Sequence, residues 1–338
     1  MLPPPAIAAH LPDAVRAARR LAWAREATGE PGLALERAST DAGFRSYWRA
    51  ATAAGARIVM DSPPGLEDAG RWLRLHALLA AHGVRVPAVL ARDEAAGFLL
   101  LEDLGARTAL QALDDLDADA LMDAAFAELL RLQAIPPPAW LPDYDAALVE
   151  RDLGLFHDWF LVRHLGVALD VGEAAAWRAL RERVLAATLA QPRVLVHRDY
   201  ILRNLMPVDG GVAVLDFQDA VRGPIAYDPA SLLRDAFHTW PAPRADAWLR
   251  GYHARAREAG LPVPGLERFR HDAALMGAQR HLKILGIFAR LHHRDGKPHY
   301  LHDAPRFLGY LDEALPGLPE LAPLAGLLDR HVRPRLAL

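Results

Sequence analysis

The chain has 338 residues, 52% of them hydrophobic, which is enough to build a large core. Its formal net charge at pH 7 is −3, so neither sign of charge is in large excess. Because the chain contains no cysteine, disulfide bonds, thiolate catalysis and cysteine-ligated zinc are excluded. Nucleic-acid-binding domains usually carry a basic excess, which is absent here. No apolar stretch reaches the length of a membrane span, and Met1–Ala6 lacks the pattern of a secretory signal. We therefore expect a cytoplasmic protein.

The first third of the chain predicts a small antiparallel sheet with two helices. A leading helix is expected from Leu11 to Glu26, where apolar residues recur at helical intervals. A second helix is expected from Leu66 to His82, ended by Gly83. Short runs rich in apolar residues and bounded by turn residues predict the strands Leu33 to Arg37, Phe44 to Ala50, Arg57 to Met60, Val84 to Leu90 and Phe98 to Leu101.

Helical patterns dominate after Glu102–Gly105 breaks the strand pattern. We therefore predict an α+β fold with an N-lobe at residues 1–101, a hinge at 102–106 and a helical C-lobe at 107–338 that carries the catalytic loop. The C-lobe helices are expected at Asp119 to Gln133, Ala146 to Leu165, Ala174 to Leu189, Ala230 to Phe237, Ala245 to Ala259, Leu266 to Leu291 and Ala304 to Leu315, followed by a C-terminal cap.

Two apolar runs, Val194 to Val196 and Val212 to Leu215, flank a group of polar residues. The first leads into His197-Arg198-Asp199 with Asn204 shortly after, and the second ends at Asp216. This is the order of a kinase catalytic loop and its metal-binding aspartate. Asp199 is expected to orient an acceptor hydroxyl and take its proton. Asn204 and Asp216 offer hard oxygen ligands, which favour Mg²⁺ over zinc.

The chain resembles the aminoglycoside phosphotransferase branch of the protein-kinase-like fold. The resemblance covers most of the chain. Within that branch, several segments are similar to the anomeric kinases of N-acetylmuramate and N-acetylglucosamine in bacterial cell-wall recycling. The segments that carry this similarity are 58–64, 98–105, 197–204, 216–228 and 277–291. The resemblance implies a bilobal fold with a small antiparallel β N-lobe and a larger, mostly helical C-lobe.

The resemblance also implies an activity, its cofactors and its partners. The expected reaction is ATP-dependent phosphorylation of the C1 hydroxyl of either amino sugar, with Mg²⁺, in peptidoglycan recycling. The expected partners are the sugar and ATP, with no nucleic acid or membrane, and the chain is expected to be a monomer. Two alternatives stay open. One is a kinase of another hydroxyl compound, such as an aminoglycoside, choline or homoserine, and the other is an inert kinase-like nucleotide-binding module.

The expected nucleotide side departs from the usual kinase pattern, because the third N-lobe strand has no lysine. Arg45 and Arg49 are candidates to bind the phosphates instead, since arginine can bind phosphate oxygens with two donors at once; a solvated face of the sheet is the open alternative. Asp61 follows the third strand and receives no assigned role. The hinge residues Glu102 and Leu104 are expected to bind adenine through their backbone. The loop at 39–43 takes the position of a phosphate-covering loop, but it has a single glycine.

One stripe of the helix Leu275 to Leu291 carries Gln279, Lys283 and Arg290, with Arg280 adjoining it. The stripe suggests a binding surface for the lactyl carboxylate of N-acetylmuramate, with Arg280 or Lys283 as the contact. A solvated or salt-bridged edge is an equally open interpretation.

The remaining candidates lie near the two motifs or at the end of that helix. Asp219 is expected either to contact a sugar hydroxyl or to cap a helix. His197 and Asp228 are expected to support the catalytic loop. His292-His293 precede Arg294 and Asp295 and are interpreted as a solvated helix end, not as a metal-binding tract.

Overall fold

The computed structural model describes residues 13–39 and 44–336. The chain divides into two compact units, Met1–Thr108 with Met206–Gln218, and Ala109–Leu205 with Asp219–Leu338. The predicted lobe boundaries stay a prediction. The two compact units differ from them in two places: the first unit extends to Thr108, and it also includes residues 206–218.

The first unit contains an antiparallel sheet that, in the described residues, has five strands in the order β1-β2-β3-β5-β4. The predicted α+β class and the small antiparallel sheet are confirmed. The prediction of a strand over Val84 to Leu90 is wrong for Val84 to Ala88, because the amide of Val84 still bonds the helical carbonyl of Leu79 and Pro87 has no amide to donate. The strands are β1 Leu35–Arg37, β2 Ser46–Thr52, β3 Gly55–Asp61, β4 Val89–Asp93 and β5 Phe98–Glu102.

Two helices of this unit, α1 Asp13–Thr28 and α2 Ala69–Ala81, correspond to the predicted ones. The first part of the leading-helix prediction, at Leu11, lies outside the described residues. Helix α2 begins where the Asp68 carboxylate accepts the amide of Arg71, since a side-chain acceptor at that position satisfies one of the unpaired first-turn amides.

Asp61, for which the sequence assigned no role, connects the end of β3 to α1. Its carboxylate accepts Arg16 at 2.6 and 2.8 Å and Arg20 at 2.9 Å. The side chain is only 3% exposed, so two guanidinium groups compensate one buried anion. Arg20 also lies over the ring of Trp48, 3.7 Å from its centroid. Asp61 is thus an internal anchor of α1 within its own unit.

The next four strands form two short antiparallel pairs. In chain order they are β6 Arg193–Val196, β7 Leu205–Val208, β8 Gly211–Val214 and β9 Val221–Pro224. Strand β6 pairs with β9, and β7 pairs with β8. The apolar runs that flank the catalytic motif are therefore strands, as predicted, but they belong to different sheets.

The second unit is mostly helical, and two of its predicted helices need correction. The segment Ala146 to Leu165 is α-helical only at its start and continues as a π-helical segment, Phe156–His164. The helix predicted from Ala230 to Phe237 is shifted towards the N-terminus. The helices are α3 Ala118–Gln133, α4 Ala146–Leu155, α5 Val171–Leu189, α6 Tyr227–Leu233, α7 Ala242–Glu258, α8 Leu266–Asp295, α9 Ala304–Ala314 and α10 Ala322–Leu327.

Helix α8 lies in the core of this unit and contacts α4, the π-helical segment, α6 and α9. Gly286 permits the closest of these approaches, because a β-carbon there would lie 2.3 Å from the backbone of Leu155. In the described part of the chain, no helix combines the length and the apolar character that crossing a membrane requires. The cytoplasmic location and the monomeric state stay predictions.

Candidate active site

The catalytic loop begins where β6 ends, and a buried carboxylate fixes its first turn. Asp228, in the first turn of α6, accepts the backbone amides of His197 at 2.7 Å and Arg198 at 3.0 Å. Arg198 adopts a φ of 77°, a conformation that side chains rarely take without outside support. Burial raises the pKa of Asp228 to about 6, although His197 and the two amides oppose that shift. The contacts suit the supporting role expected of Asp228.

A second buried carboxylate, Asp235, holds the far end of the loop, and sequence reasoning missed it. It accepts the amides of Leu202 at 2.8 Å and Phe237 at 2.7 Å. The bond to Phe237 draws the chain out of the helical path, which agrees with α6 ending at Leu233. No motif marks this aspartate in the sequence, since its partner Leu202 lies 33 residues away.

Asp199 and Asn204 are connected directly, because Nδ2 of Asn204 donates to the backbone carbonyl of Asp199 at 2.9 Å. The Asp199 side chain is half-buried. Burial favours its neutral form, but the charges of Lys283, Arg280 and Arg198 outweigh that effect and hold the pKa of Asp199 below its ordinary value. The carboxylate is therefore ionised at neutral pH and can accept a proton.

Lys283 belongs to a buried polar network next to the catalytic loop. Its Nζ lies 3.7 Å from the carboxylate of Asp152 and 3.4 Å from the hydroxyl of Tyr227. Tyr144 donates to Asp152 at 3.0 Å, and Gln279 donates to the hydroxyl of Tyr144 at 3.0 Å. Two members of the predicted basic stripe, Gln279 and Lys283, are thus engaged inside the protein.

Arg280 differs from Lys283 in its contacts. Its side chain is only 3% exposed, and its buried Nη1 has no hydrogen-bond partner among the described residues. Leaving a buried donor of a charged group without a partner costs stability, so such an atom commonly awaits a ligand or a water molecule. Arg290, the third member of the predicted stripe, is half-buried near the end of α8.

His281 follows Arg280 on α8 and gives a testable dependence of stability on pH. Burial lowers its pKa from 6.5 to about 3, and the charge of Arg280 adds to the shift. Because the pKa of His281 is depressed in the folded state, its contribution to stability is complete above its unfolded-state pKa. That contribution is lost as pH falls from the unfolded-state pKa towards the folded-state pKa. Between about pH 7.5 and about pH 5.5, we expect the wild type to lose about 1.4 kcal/mol more unfolding free energy than His281→Gln.

Chemical denaturation of both proteins at the two pH values measures this difference. The Gln variant supplies the control, since it keeps a polar side chain but does not titrate in this range. Equal losses in the two proteins would show that His281 takes up a proton in the folded state.

Asp216 lies at the end of β8, in the other unit. It adopts a φ of 62°, and together with Arg198 it makes up the non-glycine residues with positive φ in the described part of the chain. Its carboxylate accepts Gln218 Nε2 at 2.7 Å. The next residue, Phe217, is buried against Trp72 of α2, with ring centroids 5.0 Å apart. Anchoring Phe217 in the core leaves Asp216 exposed to solvent.

The donor chemistry of these two predicted metal ligands fits a hard cation. Asp216 offers carboxylate oxygens. Asn204 uses its amide nitrogen for the carbonyl of Asp199, which turns its carboxamide oxygen to other contacts. Oxygen donors of this type suit Mg²⁺.

The arginines expected to bind phosphate both pair with carboxylates of their own unit. Arg45, just before β2, bonds Glu67 at 2.7 Å. Arg49 bonds Asp103 with two donors, at 2.6 and 3.1 Å, and also donates to the carbonyl of Gly105 at 2.8 Å. Arg49 thus ties β2 to the predicted hinge. The loop expected to cover the phosphates lies, at residues 40–43, outside the described residues.

The remaining predicted residues lie at exposed or paired positions. Glu102, at the end of β5, bonds Arg85 at 2.7 Å, and its amide donates to the carbonyl of Ala88. Leu104 is half-buried in the segment that follows β5. Asp219 is exposed at the end of a short 3₁₀ turn.

The family model of the phosphotransferase enzyme family matches residues 34–271 of the chain. Two curated proteins, both named N-acetylmuramate/N-acetylglucosamine kinase, are similar over almost the whole chain. The one from Pseudomonas aeruginosa is 48% identical and the alignment covers 90% of each protein. The one from Neisseria meningitidis is 42% identical, and the alignment covers 90% of this chain and 93% of the relative.

Solved structures of similar fold come from small-molecule kinases. The ADP-bound aminoglycoside phosphotransferase APH(2'')-Ib aligns with a TM-score of 0.59 at 15% identity, covering 87% of this chain and 97% of that one. The choline kinase LicA from Streptococcus pneumoniae aligns with a TM-score of 0.59 at 13% identity, covering 88% and 99%. At such low identity the likeness shows the fold alone, and the fold is kinase-like.

Proposed function

Because the chain belongs to the phosphotransferase enzyme family, we propose that it transfers the γ-phosphoryl group of ATP to the anomeric hydroxyl of N-acetylmuramate and N-acetylglucosamine. The observation that carries the proposal is the shared name of curated relatives that are 42% and 48% identical over nearly the whole chain. The alternative acceptors and the inert module are not favoured, since those relatives are named as kinases of these sugars.

Asp199 is the proposed base. It accepts the proton of the C1 hydroxyl while the sugar oxygen bonds the γ-phosphorus, the bond from that phosphorus to the β–γ bridging oxygen breaks, and ADP leaves. The cations that keep its pKa low make Asp199 a weak base. That weakness is tolerable here, because an anomeric hydroxyl is more acidic than an ordinary alcohol. Asp228 and Asp235 support this role by holding both ends of the loop.

Asn204 and Asp216 are the proposed Mg²⁺ ligands, on the grounds of their donor chemistry and their order in the motif. When bound, Mg²⁺ neutralises charge on the nucleotide phosphates. The hydrogen bond from Asn204 to the carbonyl of Asp199 fixes the orientation of its carboxamide. The contact from Gln218 does the same for the carboxylate of Asp216.

We propose the backbone of Glu102 and Leu104 as the contact for adenine. The amide of Glu102 already donates to the carbonyl of Ala88, so that amide is not the proposed donor to adenine. Arg45 and Arg49 remain candidates for the phosphates. To bind a phosphate, Arg45 would have to leave its ion pair with Glu67, and Arg49 its ion pair with Asp103. The competing role of both arginines is to hold these ion pairs.

A panel of acceptors with ATP and Mg²⁺ tests the reaction. It contains N-acetylmuramate, N-acetylglucosamine, an aminoglycoside and choline, and NMR locates the phosphorylated carbon. Phosphate on C1 of the two amino sugars is the expected result. Phosphate on any other carbon, or turnover confined to another acceptor, contradicts the proposal. Nucleotide binding without turnover on any acceptor would favour the inert module.

Asp219, Arg280 and Lys283 are the proposed substrate contacts, and Arg280 is the strongest of them. Its buried Nη1 has no partner among the described residues, and its charge acts on the carboxylate of Asp199. N-acetylmuramate differs from N-acetylglucosamine by a lactyl carboxylate, which a buried guanidinium would bind strongly. Lys283 already faces Asp152 and Tyr227, so it is the less available cation.

We expect Arg280→Gln to raise KM for N-acetylmuramate by about tenfold to a hundredfold, the usual cost of losing a charged hydrogen bond. KM for N-acetylglucosamine should change much less. Steady-state kinetics with both sugars measures the split, and Arg290→Gln on the same helix is the matched control. An equal rise of KM for the two sugars would assign Arg280 to the support of Asp199 and not to the lactyl group.

A further inference from the structure

Three imidazoles meet where the π-helical segment and helix α8 both end. His164 is the last residue of the π-helical segment, and His292 and His293 lie in the last turn of α8. One nitrogen of each ring lies within 4.8 Å of the corresponding nitrogens of the other two. His164 Nδ1 and His293 Nε2 are 3.3 Å apart. The sequence interpretation of a solvated helix end took no account of His164.

These separations suit a tetrahedral metal ion. Imidazole nitrogens bind zinc at about 2.0–2.1 Å, so two ligands of one tetrahedral ion lie about 3.3 Å apart. His164 and His293 already have this spacing, and a nitrogen of His292 lies within 4.8 Å of both. His292 Nδ1 is buried and has no hydrogen-bond partner among the described residues. A metal ion would satisfy that atom.

The histidines lie on two backbone elements with unusual local geometry, a π-helical segment and a helix that approaches it closely. A π-helical segment shifts the side chains that follow it relative to an α-helix, and such segments occur often at functional sites. Gly286 lets α8 approach the start of this segment so closely that no β-carbon would fit. The two elements therefore bring the three histidines together on helical backbone before any ligand arrives.

The pKa of two of the rings is shifted downwards by their surroundings. Burial lowers the pKa of His164 below its ordinary value, and the neighbouring rings of His293 and His292 add to the effect. Burial likewise lowers the pKa of His293, together with the charges of His292 and Arg163. Neutral imidazole is the ligand for zinc. Arg294, which follows His293 on α8, is paired with Asp295 at 2.7 Å.

We propose that His164, His292 and His293 bind one borderline divalent cation, of which zinc is the representative, with water as the fourth ligand. The ion would fasten the end of the π-helical segment to the end of α8. It takes no part in phosphoryl transfer, for which the hard oxygen donors of Asn204 and Asp216 suit Mg²⁺.

Titration of the full chain with zinc chloride, in the presence of excess Mg²⁺, tests the site. We expect one zinc per chain and a higher melting temperature on binding. His293→Ala changes an exposed residue and is the first variant; His164→Ala is the second. Each should weaken zinc binding by more than the roughly tenfold to hundredfold typical of outer-shell changes. Cobalt in place of zinc should give the intense visible bands of tetrahedral coordination.

Two controls separate this cluster from other ligands. His302→Ala removes an exposed histidine outside the cluster, and Asp216→Asn alters the proposed Mg²⁺ ligand; both should bind zinc as the wild type does. Absence of stoichiometric zinc binding by the wild type would overturn the proposal. So would equal affinity in the wild type, His293→Ala and His164→Ala, or loss of binding only in Asp216→Asn.

Discussion

Asp199→Asn should lower kcat by about 10²- to 10⁴-fold, the usual contribution of a positioned general base. The substitution keeps the shape of the side chain but removes its ability to accept a proton. Nucleotide affinity should be nearly unchanged, because the amide makes no new contact with the phosphates. Single-turnover kinetics at saturating ATP and sugar measures the chemical step, and a nucleotide-binding titration measures the affinity.

The variant also changes an electrostatic balance, which its controls must separate from catalysis. The ionised Asp199 is favoured by Lys283, Arg280 and Arg198, so its depressed pKa adds stability above the unfolded pKa that is lost as pH falls. Asp199→Asn should therefore melt somewhat lower near neutral pH. Asp209→Asn, in the exposed turn between β7 and β8, is the matched control for activity and stability. Turnover at the wild-type rate would remove Asp199 from the role of base.

Asp61→Asn should lower the unfolding free energy by about 3–5 kcal/mol, the usual cost of removing one partner from a buried ion pair. The carboxylate faces Arg16 and Arg20, whose side chains are 12% and 10% exposed, so two cations would be left without their anion. A decrease in melting temperature of the order of 10 °C is expected. Thermal unfolding followed by circular dichroism measures it.

The same variant distinguishes a structural Asp61 from a catalytic one. Below its melting temperature, Asp61→Asn should keep kcat near the wild-type value. Glu26→Gln, an exposed carboxylate on α1, is the control and should melt as the wild type does. A variant that melts normally but has lost activity would show that Asp61 serves the reaction and not the attachment of α1.

Local sequence patterns predicted most of the helices and strands. They failed where contacts with distant residues determine the position at which a helix or strand begins or ends. Asp68 caps α2 through a residue three positions on, a contact that sequence spacing can indicate. Helix α6 ends at Leu233, which agrees with Asp235 bonding the amides of Leu202 and Phe237. The partner at Leu202 is not visible to periodicity. The strand predicted from Val84 begins only at Val89, because the amide of Val84 bonds the helical carbonyl of Leu79 and Pro87 has no amide to pair with a neighbouring strand.

The candidate site divides in the same way. The order of Asp199, Asn204 and Asp216 is visible in the sequence, because these residues lie close to two apolar strand-like runs within one short stretch of chain. Arg45 and Arg49 were candidates to bind phosphates because side chains two positions apart on a strand point to the same face of the sheet. Their partners Glu67 and Asp103 come from other segments, which alternation along one strand does not reveal.

Residue types and their spacing over a few turns of chain were enough to indicate the proposed chemistry, with Asp199 as the candidate base and Asn204 and Asp216 as the candidate metal ligands. Tertiary structure decided which charges are compensated. In the folded chain, Asp61 pairs with two arginines of α1, and Lys283 faces Asp152. A buried nitrogen of Arg280 has no partner in the described residues. Tertiary structure also brought His164 to His292 and His293, although 129 residues separate His164 from His293. The reason is physical: burial and pairing depend on distances between segments that only the folded chain brings together.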